Sequence, residues 1–168
     1  MDKVLKQRAK ATECAPPRDA GPSPVDYGPL KQRLGYVLRR AQVAVFQDFF
    51  EAFSEHDLRP AQYSVLTLIE HNPGLSQGRV AEALGIQKTN FVAMIGALKD
   101  RDLVRREPSK QDRRIHGLFL TRKGETLMVK LHKSAQDHEM RILKRIGESA
   151  YHELFSPLEL VAFGKDPG

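Results

Sequence analysis

The stretch from Ser76 to Leu98 most constrains what this chain can fold into, because it joins two short helical patterns through a single glycine. Gly85 can adopt the positive φ that a sharp turn between helices requires. Ala81, four residues earlier, is small enough for the two backbones to approach. Apolar residues on both sides hold the angle, namely Val80, Leu84, Ile86, Phe91, Met94 and Leu98. This spacing predicts a helix-turn-helix.

The second helix of the pair, expected from about Gln87 to Arg101, has a polar outer face. When its apolar residues turn inward, the outward positions are Lys88, Thr89, Asn90, Val92, Ala93 and Gly96. Asn and Thr side chains hydrogen-bond base edges in the major groove, and Lys88 can hold a phosphate or a guanine. Ser76, the expected N-cap of the first helix, and Gln87 complete this candidate DNA-binding set. A helical hairpin packed against protein produces the same pattern, so this motif leaves that alternative open.

Two alternating stretches follow the second helix and predict a β-ribbon. Leu103–Arg106 and Ile115–Leu120 are expected to be strands, joined by a polar turn from Glu107 to Arg113. Basic side chains on a narrow ribbon suit the minor groove, where the potential is most negative. The candidate contacts at the tip are Lys110, Arg113 and Arg114. Asp112 can orient the Arg114 guanidinium before DNA is met.

The formal charge of +6 is concentrated in this part of the chain. From Leu75 to Lys123 there are eleven Lys and Arg against five Asp and Glu, so about a third of the sequence carries the whole basic excess. Such clustering favours a polyanionic partner. A solvated basic face without a partner would have the same charge pattern.

Long amphipathic helices flank the central segment. The first, from about Pro29 to Phe53, is apolar on two faces, so one face is left for a partner subunit. Thr121 can cap the last long helix, to about Ile146, and a helical piece from Ser149 is expected to be interrupted at Ser156-Pro157. We therefore expect a mainly α fold with a small β wing and an obligate dimer through the N- and C-terminal helices. We expect a disordered tail at 1–27, one domain at 28–163 and a frayed end at 164–168. Within the domain, the dimerisation helices are expected at 28–56 and 121–163, and the DNA-binding part at 58–120.

The segments that carry this pattern resemble the MarR family of winged-helix regulators. The resemblance rests on Leu58 to Leu66, on Asp112-Arg113-Arg114, and on Leu120-Thr121-Arg122-Lys123-Gly124. It implies that Arg114 enters the minor groove braced by Asp112, that Lys88, Thr89 and Asn90 lie in the major groove, and that the operator is a near-palindrome. Two departures are Ala93, where many relatives have an arginine, and Gly96 inside the recognition helix.

The resemblance also implies a ligand that enters a cleft beside the dimer-forming helices and releases DNA. Aromatic and basic side chains suited to an aromatic carboxylate or a coenzyme A thioester are Tyr36, Arg39, Arg40, Phe46, Phe50, His56 and Tyr63. Ordinary core packing explains any one of them equally well. Leu-Arg-Arg-Ala-Gln (38–42) and Lys-Thr-Asn-Phe-Val (88–92) are similar to regulators of phenylpropenoic acid degradation, some of which respond to aromatic acyl-CoA thioesters.

Other functions find little support in the sequence. It has no Gly-rich phosphate loop, no G-x-S-x-G and no H-E-x-x-H, so we expect no enzyme and no cofactor. Its six histidines lack metal-ligand spacing, and we expect His132 and His138 to be solvated. The single cysteine, Cys14, fits a cytoplasmic protein, and no apolar run is long enough for a membrane span. A ligand-independent architectural DNA binder and a protein-interaction module with the same fold remain open.

Overall fold

The computed structural model describes residues 25–108 and 116–164 of the 168-residue chain. The predictions for the N-terminal tail, for the wing tip and for the last four residues therefore lie outside the described residues.

The chain forms two compact units, one ending at Val37 and one beginning at Leu38. The elements in chain order are a 3-10 turn at Gly28–Gln32, α1 at Leu34–Ala52, a 3-10 turn at Ser54–His56, α2 at Pro60–His71, α3 at Gln77–Ala83, α4 at Lys88–Asp100, β1 at Val104–Pro108, β2 at His116–Leu120, α5 at Arg122–Ile146 and α6 at Glu148–Phe163.

The predicted helix boundaries around α3 and α5 are confirmed, and each has a physical cause. The Ser76 hydroxyl accepts a hydrogen bond from the backbone N–H of Arg79 at the start of α3. The Thr121 hydroxyl accepts one from the N–H of Gly124 at 3.0 Å and so begins α5. These bonds satisfy donors that the first turn of a helix leaves without an intrahelical partner. The mainly α architecture with a small wing follows directly from this order of elements.

Three local predictions were wrong. The first helical segment begins with a separate 3-10 turn, and α1 starts only at Leu34. Strand β1 includes Glu107 and Pro108, which were assigned to the turn, because their pairing with Gly117 and His116 continues the antiparallel register. Helix α6 is not interrupted at Pro157. The proline removes one backbone donor and frees the carbonyl of Glu153, which lies on an exposed helix where water can bond it.

The core lies where α2, α4, β2 and α5 meet. Each element contributes side chains that are almost fully buried, and examples are Val65, Leu66, Ile69, Ile95, Leu98, Leu118, Met128 and Leu131. In α4 and α5 these residues recur at helical spacing, so one stripe of each helix faces the core. The core thus holds the helix-turn-helix and the β-ribbon against the long helix α5.

A backbone contact ties the β-ribbon to the entry of α3. The N–H of Gly74 donates to the carbonyl of Leu118 at 2.8 Å, and the N–H of Leu118 donates to the carbonyl of Leu75 at 3.0 Å. Ser76 and Gly117 form an isolated bridge beside them. Gly117 has no room for a side chain, because a Cβ atom there would lie 2.5 Å from the carbonyl oxygen of Gly74. Glycine at 117 is therefore a packing requirement.

None of the helices in the described ranges combines the length and the apolarity that a membrane crossing demands.

We expect Gly117→Ala to destabilise the protein by about 1–3 kcal/mol, because the added methyl group must push two backbones apart. Urea unfolding followed by circular dichroism measures the change. Gly96→Ala is the matched control, since a Cβ at 96 meets nothing within 4 Å. That substitution should stabilise α4 by about 0.5–1 kcal/mol. Equal stability of the Gly117→Ala variant and the wild type would contradict the packing requirement.

Candidate nucleic-acid interface and effector region

The turn between α3 and α4 has the geometry expected from the sequence. Gly85 has a φ of 62°, in the left-handed region that favours glycine. The N–H of Ile86 donates to the carbonyl of Ala81 at 2.9 Å, which closes the turn, and Ala81 is buried. The two helices are thus held at a defined angle by a short backbone link and a small side chain.

Helix α4 presents a buried face and an exposed face. Phe91, Ile95 and Leu98 are buried in the core, as predicted. Five of the six predicted outward positions are exposed, namely Lys88, Thr89, Asn90, Val92 and Ala93. Gly96 is only half-buried and does not belong fully to the outer face. The exposed polar groups are concentrated in the first turn of the helix.

The first turn of α4 also offers free backbone donors. The preceding residue, Gln87, makes no side-chain capping bond, and the first intrahelical bond in this turn runs from the N–H of Phe91 to the carbonyl of Gln87. The N–H groups of Lys88, Thr89 and Asn90 therefore point out of the helix end. Together with the helix dipole they favour an anion at this position. This end of α4 can bind phosphate while its side chains reach base edges.

Ser76, Arg79 and Lys88 line a groove between α3 and the start of α4. Ser76 is half-buried, and its hydroxyl already caps α3, so any DNA contact by this residue uses its remaining hydrogen-bonding capacity. Arg79 was not among the sequence-predicted residues. Its exposure beside the predicted set is visible only when α3 is placed next to α4.

The described part of the wing carries two exposed arginines on β1. Arg105 forms an ion pair with Glu107, and its guanidinium lies over the Phe119 ring at 5.0 Å from the centroid. Arg106, on the opposite face of the ribbon, is exposed. The predicted tip residues Lys110, Asp112, Arg113 and Arg114 lie outside the described residues.

Arg101, at the end of α4, joins the recognition helix to the α1–α2 connection. Its guanidinium donates to the backbone carbonyls of Asp57 at 2.7 Å and His56 at 2.8 Å. The ammonium of Lys123 donates to the carbonyl of Arg101 at 2.8 Å. The residue that ends α4 therefore contacts both the α1–α2 connection and the start of α5.

Four of the seven predicted effector residues, Arg39, Arg40, Phe46 and Phe50, lie on α1 and are exposed. Tyr36, in the first unit, is half-buried with its ring 6.1 Å from that of Tyr27. The helical spacing of Arg39, Phe46 and Phe50 places them on one side of α1. Arg40 lies beside this stripe.

The remaining two, His56 and Tyr63, are grouped around a buried aromatic pair. Phe53 stacks on Phe49 at 3.8 Å, and both His56 and Tyr63 contact Phe53, at 6.2 and 5.1 Å between ring centroids. Phe50 meets the other side of Phe49 edge-on at 6.2 Å. The structure thus brings His56, Tyr63 and Phe50 into one aromatic cluster.

His56 also faces α5. Its Nε2 lies 3.2 Å from the Ser134 hydroxyl, and the side chain lines a cavity of about 530 Å³ with Arg101, Lys123 and Lys130. Tyr63 lines a separate, shallower cavity with Thr67 and His71. These two predicted residues therefore open towards different parts of the surface.

A buried histidine was missed by the sequence reasoning. His138 was expected to be solvated, but it is 5% exposed, and its Nδ1 lies 2.6 Å from Oδ1 of Asp48 on α1. Arg141 donates to both carboxylate oxygens of Asp48, at 2.8 Å each. The sequence does indicate burial of His138, because it continues at helical spacing the apolar stripe formed by Leu131 and Ala135 on α5. His132, off this stripe, is exposed and bonds Glu70.

These contacts change the acidity of the groups involved. The hydrogen bonds from Arg141, and then from His138, hold the pKa of the Asp48 carboxyl below its ordinary value of 3.8. The hydrogen bond to Asp48 in turn raises the pKa of Arg141. Further along, the hydrogen bond from Tyr151 to the Glu139 carboxylate raises the pKa of Tyr151 to about 12.

Within residues 25–108 and 116–164, no group of three or more His, Cys, Asp or Glu side chains could hold a metal ion.

The helix-turn-helix, the antiparallel ribbon after it and the long flanking helices define a winged helix-turn-helix protein. The chain matches the MarR family model over residues 56–115. It is 42% identical to the transcriptional repressor CouR bound to a 23-mer DNA duplex, over 83% of this chain and 99% of that one, with a TM-score of 0.79. The protein belongs to the MarR family of transcriptional regulators, as the sequence resemblance implied.

Two further comparisons are with named transcriptional regulators. A structure of CouR bound to p-coumaroyl-CoA is 40% identical to this chain, covers 83% of this chain and 98% of its own, and has a TM-score of 0.77. A protein of Thauera aromatica, named as a regulator of the hcr operon, is 27% identical over 73% of this chain and 75% of its own length. The resemblance to regulators of phenylpropenoic acid degradation is consistent with the first of these.

The Asp48–Arg141 pair generates a pH-dependent prediction. We expect Asp48→Asn to lower the free energy of unfolding by about 1–2 kcal/mol at pH 7, because it breaks charged hydrogen bonds between α1 and α5. A carboxyl with a lowered pKa stabilises the fold above its ordinary pKa, and this contribution is lost as the pH falls through the folded-state value. The difference between the wild type and the variant should therefore shrink below pH 3.8.

Urea titrations from pH 3 to pH 8 measure this difference. Glu70→Gln is the matched control, because it removes another carboxylate that bonds an α5 histidine, but one on a more exposed pair. It should change stability by no more than about 0.5 kcal/mol. A constant difference between Asp48→Asn and the wild type across the whole pH range would contradict the assignment.

Proposed function

We propose that this protein is a dimeric transcriptional repressor that binds a near-palindromic DNA operator and releases it when an aromatic acyl-CoA thioester binds. The observation that carries the DNA part is the first turn of α4, where exposed Lys88, Thr89 and Asn90 combine with free backbone donors. The similarity to a DNA-bound CouR supports the same use of this surface. We place the protein in the cytoplasm and assign it a binding role rather than catalysis.

In this proposal the two parts of the interface have different tasks. Asn90 and Thr89 read base edges in the major groove, while Lys88 and Ser76 contact phosphate and Gln87 lies beside them. Lys110, Arg113 and Arg114 reach the minor groove, and Asp112 orients Arg114. The clustered positive charge between Leu75 and Lys123 supports this division, since phosphate contacts supply most of the affinity.

The dimer is proposed through α1 and α6, whose apolar side chains are exposed in the single chain. Phe46 and Phe50 on α1 are 39% and 48% exposed, and Phe155 and Phe163 on α6 are 49% and 73% exposed. Such a concentration of exposed aromatic surface is typical of an interface. Two recognition helices in successive major grooves would lie about 34 Å apart, which requires an operator with two-fold symmetry.

The effector is proposed to be recognised in two parts. Arg39 and Arg40 lie exposed on α1, where they can pair with the phosphates of coenzyme A. For the acyl group the candidates are aromatic side chains. Phe50, His56 and Tyr63 belong to the cluster around Phe49 and Phe53, and Tyr36 and Phe46 lie on α1. The similarity to CouR bound to p-coumaroyl-CoA supports a thioester over a free acid.

We expect DNA affinity to fall by about 10³–10⁵ between 50 and 200 mM salt if 6–10 phosphates are contacted.

Lys88→Ala should weaken binding to operator and scrambled duplexes alike and reduce the slope of log affinity against log salt by about 1. Asn90→Ala should cost about 1–3 kcal/mol on the operator alone. Fluorescence anisotropy on a duplex from the protein's own upstream region measures all three.

Lys99→Ala is the matched control, because it removes the same charge from the opposite end of α4. It should leave operator affinity nearly unchanged. Equal affinity of the wild type for operator and scrambled duplexes would replace a sequence-specific repressor with an architectural DNA binder. A salt-insensitive complex would remove the DNA proposal altogether.

Thioesters of hydroxycinnamic acids should release the operator, whereas the free acids should not. The double substitution Arg39→Ala and Arg40→Ala should raise the thioester concentration needed for release by at least about tenfold, because two charged contacts to phosphate are lost. Arg145→Ala, at the exposed end of α5, is the control and should behave like the wild type. Release by free acids alone would contradict the thioester proposal.

A further inference from the structure

Three segments that are distant in the sequence meet at Arg101, the residue that ends α4. Its guanidinium donates to the carbonyls of His56 and Asp57 in the connection between α1 and α2. Its own carbonyl accepts from the ammonium of Lys123 at the start of α5. Arg101 is half-buried, and the fixed fork of a guanidinium can hold two acceptors in one geometry. We call these four residues the α4 joint, because they fix the end of the recognition helix to the rest of the protein.

The backbone beside both ends of the α4 joint lies in the left-handed region. Asp57 has a φ of 48° and Asp102 a φ of 56°, and within the described ranges they are the only residues other than glycine with a positive φ. The carbonyl of each accepts a hydrogen bond, from Arg101 at 2.7 Å and from the Thr121 hydroxyl at 2.6 Å. Such backbone conformations persist where the surrounding contacts hold them, and they are concentrated at functional and switching positions.

His56 belongs both to the α4 joint and to the proposed effector region. Its ring lies 6.2 Å from the ring of Phe53 in the buried aromatic cluster, and its Nε2 lies 3.2 Å from the Ser134 hydroxyl on α5. Its backbone carbonyl accepts from Arg101 at 2.8 Å. A ligand that displaces the ring of His56 can therefore move the peptide group that Arg101 binds, with no other residue between them.

We infer that Arg101 is the positioning residue that carries effector binding to the recognition helix. The acyl group displaces the α1–α2 connection, and Arg101 shifts α4 with it, out of the geometry that fits DNA. This inference rests on the proposed function, since it states how the same thioester releases the operator. It differs from direct competition, in which the thioester covers the DNA-binding side chains while α4 keeps its position. A ligand shifts such an equilibrium only by its difference in affinity for the two states, and the α4 joint links those states to the position of α4.

Arg101→Met separates binding of the thioester from release of DNA, because it keeps the length of the side chain and removes both donors. We expect the affinity for p-coumaroyl-CoA, measured by isothermal titration calorimetry, to stay within about twofold of the wild type, since no ligand contact is lost. The ratio of operator affinities without and with saturating p-coumaroyl-CoA should fall by about tenfold, because coupling between two sites typically amounts to about 5–150-fold. Fluorescence anisotropy on the operator measures this ratio.

Lys99→Met is the matched control, because it removes a positive charge from the last turn of the same helix at an exposed position. It should keep the wild-type ratio. Arg101→Lys should lose most of the ratio, since an ammonium keeps the charge but has no planar fork to span two carbonyls. The wild-type ratio in either Arg101 variant would overturn the inference. Joint loss of thioester binding and of stability to urea in Arg101→Met would show that Arg101 only holds the fold, and would overturn it too.

Movement of α4 can be measured without DNA. Cys14→Ser removes the single native cysteine, and Ala93→Cys then places one spin label on the exposed face of each recognition helix in the proposed dimer. Double electron–electron resonance measures the distance between the two labels. We expect p-coumaroyl-CoA to shift this distance when Arg101 is present and to leave it constant in Arg101→Met. A constant distance with Arg101 present would overturn the inference.

The outcomes distinguish failure of this inference from failure of the proposed function. If p-coumaroyl-CoA does not release the operator from the wild type, the proposed function fails. If it releases the operator from the wild type and from Arg101→Met with the same ratio, direct competition replaces the α4 joint and the proposed function stands.

Discussion

The close approach of Gly117 to Gly74 is the constraint on which the rest of the DNA-binding part depends. Two backbones without side chains lie in contact, and the hydrogen bonds between Gly74, Leu75 and Leu118 join the start of α3 to the wing ribbon. Because α3 is linked to α4 through the short turn at Gly85, the ribbon and the recognition helix keep a fixed relation. The exposed first turn of α4 and the arginines of β1 are therefore parts of one rigid surface. A protein that must meet two grooves of DNA at once needs such a fixed relation.

Two polar contacts connect this surface to the long helices. Arg101 binds the carbonyls of His56 and Asp57 at the end of the first long helical segment, and Lys123 at the start of α5 binds the carbonyl of Arg101. At the other end of α5, Asp48 joins α1 to His138 and Arg141. The recognition helix ends at the first of these contacts, and the second holds α1, which carries most of the proposed effector residues, against α5. A change in the packing of α1 against α5 can therefore shift α4 through the contacts of Arg101 and Lys123.

Sequence patterns were sufficient to predict the helix ends and turns that depend on residues close together in the chain. Ser76 and Thr121 are capping residues whose own side chains satisfy the helix ends, and Gly85 supplies a backbone conformation that other residues disfavour. These effects act within a few residues, so spacing alone predicted them. Pro157 was misjudged because the cost of a proline in a helix depends on whether the freed carbonyl is buried or hydrated, and exposure is not written in the local sequence.

The amino-acid sequence by itself determined the winged helix-turn-helix, the family and the polar outer face of α4, since each follows from periodicity, caps, turns and a short basic ribbon. Only the tertiary structure decided which face of α5 each histidine occupies. It also decided that two residues ninety positions apart in the sequence lie in contact. Asp48 and His138 are polar and far apart in sequence, and nothing in either neighbourhood reports the other. Their pairing depends on how α1 packs on α5, and packing is a property of the whole fold.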